Sequence, residues 1–98
     1  MPDIYVDADA CPVKTEICKV ARRYRLNVIL VANSRMRVTD PDVARLVIVD
    51  GDFNAADDWI AGQAAAGDIV ITADIPLASR CVKNGARVLG PTGYELSD

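Results

Sequence analysis

Histidine is absent from the 98-residue sequence. That rules out histidine zinc sites, Ser-His-Asp or Cys-His nucleophile pairs and imidazole acid–base chemistry. Cysteine is scarce: Cys11, Cys18 and Cys81 form an odd set with no paired spacing. Such a set excludes a disulfide framework and a thiolate zinc cluster, and is expected of reduced thiols in a cytoplasmic protein. A cysteine phosphatase built on Cys11 fails too, because its phosphate-binding arginine would stand where Ile17 is. No apolar run approaches the roughly 20 residues that span a bilayer, so no membrane partner is expected. The N-terminus also lacks the basic-then-apolar pattern of a secretory signal.

Basic charge is not in excess either, the formal net charge being −3. A general nucleic-acid binder is therefore not indicated by total charge. Its distribution is uneven, however. Seven of the eleven basic residues (Lys14, Lys19, Arg22, Arg23, Arg25, Arg35, Arg37) fall between positions 14 and 37, and aspartates dominate from 40 to 74. A charge run of this kind is ordinarily a solvated face. Were RNA the partner, Arg22, Arg23, Arg35, Arg37 and Lys14 would be expected to hold its phosphates beside an acidic pocket.

What the chain does contain is an alternation of short branched runs with amphipathic stretches. Ile4–Val6, Val28–Val31, Leu46–Val49, Ile69–Ile71 and the weaker Arg87–Leu89 read as buried parallel strands. Between them, Pro12–Tyr24 reads as a helix with Val13, Ile17, Val20, Ala21 and Tyr24 on its apolar face. Ala55–Ala66 reads as a second helix, closed by Gly67, and Pro76–Asn84 as a third, closed by Gly85. Residues 41–45 are expected to add one further helical turn. The order predicts a single α/β domain over 1–98: a three-layer sandwich with a mostly parallel sheet of about five strands and helices on both faces. In such a fold, ligands bind beyond the carboxyl ends of the strands, where the strand order reverses.

Carboxylates follow those strand ends. Asp7-Ala8-Asp9 ends the first strand, Asp50-Gly51-Asp52 the third and Thr72-Ala73-Asp74 the fourth, while Asp57 and Asp58 open the second helix. Asp9, Asp52 and Asp74 are also helix-cap candidates, and Asp57 and Asp58 suit the positive end of a helix dipole. Capping does not explain Asp7. If the first and fourth strands are neighbours, Asp7 and Asp74 converge. Crowded carboxylates of that kind call for protons or a hard cation, Mg²⁺ or Mn²⁺. Such an ion could orient a phosphodiester and activate water. Trp59 could stack a base, but its place on the apolar face favours core packing.

The segments "VDADACPVK", "VAN" (Val31 to Asn33), "AADDWI" and "VITADIPLA" resemble the YaiI/YqxD family across essentially the whole chain. The resemblance implies a PIN-like fold, related to domains that are often Mg²⁺- or Mn²⁺-dependent ribonucleases. It implies that Asp7, Asp57 and Asp74 are catalytic metal ligands, with Asp9 and Thr72 accessory, Asp9 as a further ligand. Asp58 is accessory beside Asp57, and Asn33 lines the rim. Family members commonly continue beyond Asp98, which would leave a covering or homodimer-forming element outside this sequence. Two rival readings stay open. One is a non-catalytic PIN-like domain that binds RNA or protein. The other is a haloacid-dehalogenase-like phosphatase with Asp7 as nucleophile and Asp9 as acid, although its later lysine and paired acids do not follow in order.

Overall fold

Branched side chains prefer the pleated conformation, and a strand covered on both faces has no need of polar alternation. Each branched run accordingly forms a strand. The computed structural model describes residues 3–8, 14–38, 41–51, 55–90 and 95–96. Its elements are β1 (Asp3–Asp7), α1 (Lys14–Tyr24), β2 (Asn27–Ala32), β3 (Ala44–Ile48), α2 (Ala55–Gln63), β4 (Ile69–Ile71), α3 (Ile75–Lys83), β5 (Arg87–Leu89) and β6 (Glu95–Leu96). They form one sheet in the order β3-β2-β1-β4-β5-β6. The first five strands are parallel, and β6 runs antiparallel to β5. The chain leaves β1 toward β2 and β3, then returns to β4 on its other side. The order therefore reverses between β1 and β4.

Alternate strand residues feed two cores. Ile4, Val6, Val28 and Leu30 pack with Cys18 and Ala21 of α1. Tyr5, Ile29, Val31, Val70 and Val88 pack with Ala56 and Ile60 of α2 and with Leu77, Ala78 and Cys81 of α3. The result is the expected three-layer α/β sandwich. Tyr5 and Trp59 meet edge to face, ring centroids 6.1 Å apart, so Trp59 packs against the core.

Several local expectations are corrected. Residues 41–43 form a turn and Ala44 and Arg45 already belong to β3, where pairing with Val28 and Ile29 outweighs a helical turn. The buried stripe of α1 is rotated toward Cys18, which leaves Val20 and Tyr24 55% and 65% exposed. α2 stops at Gln63, three residues early, because Asp68 Oδ2 accepts the Ala65 N–H at 3.0 Å. Pro12 lies outside the described residues.

Helices α1 and α3 end alike. After α3, the Ala86 N–H reaches the Cys81 carbonyl and the Gly85 N–H the Val82 carbonyl, with Gly85 at φ 89°. After α1, Leu26 bonds Ala21 and Arg25 bonds Arg22 in the same pattern, but the left-handed position is Arg25, at φ 58°. A residue with a Cβ is held there at a cost of about 1 kcal/mol.

Candidate active site

β1 and β4 run side by side, Val6 opposite Ile71, so their carboxyl ends share one edge of the sheet. Asp7 is the last residue of β1 and only 9% exposed. A carboxylate so placed needs hydrogen bonds. Thr72, 1% exposed just beyond β4, donates its Oγ1–H to Asp7 Oδ2 at 3.2 Å. The same Oγ1 accepts the Asp74 N–H at 3.0 Å. Asp74 in turn caps α3, its Oδ1 accepting the Leu77 N–H at 2.9 Å. One chain of hydrogen bonds thus runs from the first turn of α3 through Thr72 to Asp7. It fixes two acids on adjacent strand ends.

The first turn of α2 brings Asp57 and Asp58 to the same edge. Asp57 is partly buried, and its carboxyl is pushed up to about 6. Desolvation is the largest cause, followed by repulsion from Asp74, Asp7 and Asp58, while Arg80 acts in the opposite direction. Asp57 therefore feels the charges of both Asp7 and Asp74 across this edge. Asp58 differs: it is exposed and paired with Arg80 Nη1 at 2.9 Å.

All-oxygen, mutually repelling donors suit a hard divalent cation. Among the described residues, no three aspartate, glutamate or cysteine side chains close around one point as a ready-made chelate. Mg²⁺ usually keeps several waters and binds through one or two carboxylates plus substrate phosphate. Asp9 and Cys11 lie outside the described residues. Asn33 stands just beyond β2 on the same edge, partly buried.

A family model described as "Uncharacterized BCR, YaiI/YqxD family" matches residues 5–98. The chain belongs to the YaiI/YqxD family. A UPF0178 protein of Agrobacterium fabrum is 63% identical over 92 residues, covering 94% of this chain and 60% of the relative. One of Rhizobium meliloti is 63% identical over 90 residues, covering 92% and 62%. One of Rhodospirillum centenum is 54% identical over 97 residues, covering 99% and 63%. This YaiI/YqxD chain thus spans about three-fifths of the length of the curated relatives it matches. No solved structure matches it.

The basic segment of this YaiI/YqxD domain does not form one patch. A helix joining two parallel strands must run back along them, so Lys14 opens α1 at the carboxyl edge while Arg22 and Arg23 end it at the amino edge. Eight to nine residues of α1 separate Lys14 from Arg22 and Arg23 by about 12–14 Å along the helix axis. Arg22 there lies 3.9 Å from Asp42. Arg35 and Arg37 are exposed on the connection leaving the carboxyl end of β2. Among the described residues, Arg80 is a cation that acts on the acids, pairing with Asp58 and opposing the rise of Asp57. Sequence spacing gave no hint of it, because its partner Asp58 is 22 positions away. Cys18 and Cys81 are buried, and burial pushes the Cys81 thiol up, as fits an inert core thiol. Among the described residues, no helix is long and apolar enough to cross a membrane.

Proposed function

We propose that the domain is a Mg²⁺- or Mn²⁺-dependent phosphodiesterase of PIN-like type, acting on RNA. The observation that carries this reading is the coupling of Asp7, Asp57 and Asp74 at the reversal point of a parallel sheet, with desolvation and repulsion raising Asp57. Asp7 and Asp74 are the residues that would hold the ion, with Asp9 as a further ligand. Bound there, the ion would neutralise phosphate charge and polarise a water. Thr72 keeps Asp7 oriented by donating to Oδ2. Asp57, whose carboxyl is raised to about 6, orients the attacking water and receives its proton, which no histidine can do in this chain. Arg35, Arg37 and Lys14 belong to the edge at which RNA would approach. A cytoplasmic setting belongs to the same reading, since RNA would be the substrate.

The lack of a closed three-ligand set among the described residues favours a second reading, a PIN-like domain that binds RNA or protein without turnover. One assay separates the two. End-labelled single-stranded RNA is incubated with the protein in Mn²⁺, in Mg²⁺ and in EDTA. The phosphodiesterase reading expects cleavage only with added ion, abolished by Asp7→Asn and by Asp74→Asn. RNA that is bound but never cut in either ion supports the second reading.

A further inference from the structure

Two surface cavities of about 350 Å³ carry charged side chains. One lies at the amino ends of the strands, with Asp3, Asp42 and Arg45 in its lining, far from the acids of the candidate site. The other is a groove between α2 and α3, lined by Asp58, Ala61, Gly62, Arg80, Lys83 and Asn84. Both helices begin at the carboxyl edge of the sheet and run down it side by side. Asn84 Nδ2 donates to the Ala61 carbonyl at 2.9 Å, fixing their lower ends. Asp58, in the first turn of α2, lines the upper part of the groove, and its α3 wall carries two cations, Arg80 and Lys83.

The lining is suited to an extended polyanion. Arg80 and Lys83 are three apart on one helix, hence neighbours about 5–6 Å apart at Cβ, and their long side chains can reach consecutive phosphates. The floor is open at Gly62, where an added Cβ would meet no atom within 4 Å. Arg80 already holds an oxyanion, Asp58, in a 2.9 Å bond between side chains 50% and 68% exposed. An exposed pair of this kind is weak, and a backbone phosphodiester, with the same single negative charge, can accept two parallel bonds from the guanidinium where Asp58 accepts one.

We propose that this groove is the phosphate track of a single-stranded RNA: Arg80 and Lys83 bind successive backbone phosphates, and Asp58 is the resident anion that the first phosphate displaces from Arg80. The choice of RNA rests on the function proposed above, but binding in the groove does not require turnover.

Binding is read by fluorescence anisotropy of a labelled single-stranded oligouridylate in EDTA, so that nothing is cut. Arg80→Gln combined with Lys83→Gln is expected to weaken binding about 10-fold and to lower the log–log salt slope by roughly 1–2. Gly62→Glu puts a like charge on the groove floor and is expected to weaken binding as much. Its fold is retained, because Glu is a better helix former than Gly. Asp58→Asn frees Arg80 and is expected to tighten binding several-fold, whereas Arg45→Gln, at the opposite edge, leaves it within about 2-fold. Unchanged affinity in the Arg80/Lys83 or Gly62 variants, weaker binding by Asp58→Asn, or no RNA binding by the parent would each overturn the proposal. Mn²⁺-dependent hydrolysis of bis(p-nitrophenyl) phosphate, too small to need the groove, reports separately on the chemistry. Its absence with the binding pattern intact defeats the phosphodiesterase alone. Its presence without that pattern defeats the track alone.

Discussion

Replacing Thr72 by valine removes one hydroxyl from a site with almost no exposed surface and leaves its shape unchanged. The hydroxyl makes two bonds, donating to Asp7 Oδ2 and accepting the Asp74 N–H. A bond to a charged group contributes about 1.5–3 kcal/mol and a neutral one about 1, and both former partners stay partly desolvated. Residual bonding and water entry recover some of this, which leaves an expected loss of about 2–3 kcal/mol at pH 7. For a domain of this size each kcal/mol shifts the melting temperature by about 4–8 °C, so Thr72→Val should melt roughly 10–20 °C lower. Thr72→Ser keeps both bonds and loses only a buried methyl, about 1 kcal/mol. Thermal melts and urea titrations of the three proteins test the order parent, Ser, Val. A Val variant as stable as the parent would refute the hydrogen-bond chain, and repulsion among the carboxylates would then dominate the site.

In the metal-free protein, Asp57 has a folded-state value of about 6 against an ordinary 3.8. Its contribution to stability is therefore complete below about pH 4 and lost as pH rises through 6. A shift of that size corresponds to about 3 kcal/mol, which solvent screening of a partly open group reduces to about 1. Asp57→Asn should flatten melting temperature against pH between 4 and 7 and melt above the parent at pH 8; an unchanged profile contradicts the coupling. Arg35→Gln with Arg37→Gln should flatten the salt dependence of RNA binding by about one log–log unit per lost contact, with parent-like slopes marking those arginines as a solvated face. Arg25→Gly relieves the left-handed strain and should stabilise by about 0.5–1 kcal/mol in urea titrations; a loss would mean that Arg25 has a role beyond closing α1.

The architecture is legible in the sequence because a parallel sheet buried on both faces writes itself as short branched runs. The convergence of Asp7 and Asp74 follows from β1 lying beside β4. What the sequence hides depends on contacts between distant positions. The two-residue β6 carries too little pattern to announce itself. The early end of α2 depends on Asp68, which also accepts the Asp3 N–H at 3.2 Å and so ties the start of β1 to the turn before β4. The role of Thr72 needs the end of β1 to meet the turn between β4 and α3, 65 positions away. The separation of Arg22 and Arg23 from the acidic edge follows from helix direction, which charge counting along the chain ignores.

The measurement that bears most directly on the acidic site as an ion site is the melting temperature of the parent and of Asp7→Asn, each with EDTA and with Mn²⁺. A ligand present at 100 times its Kd stabilises the folded state by about 2.7 kcal/mol, an upward shift of roughly 10–20 °C. Asp7→Asn keeps an oxygen for Thr72 but loses the charge that would hold the ion. The account predicts a Mn²⁺-induced rise for the parent that is largely abolished in Asp7→Asn, while in EDTA the variant melts no lower than the parent. An equal response of the two proteins to Mn²⁺, or none in the parent, would contradict it.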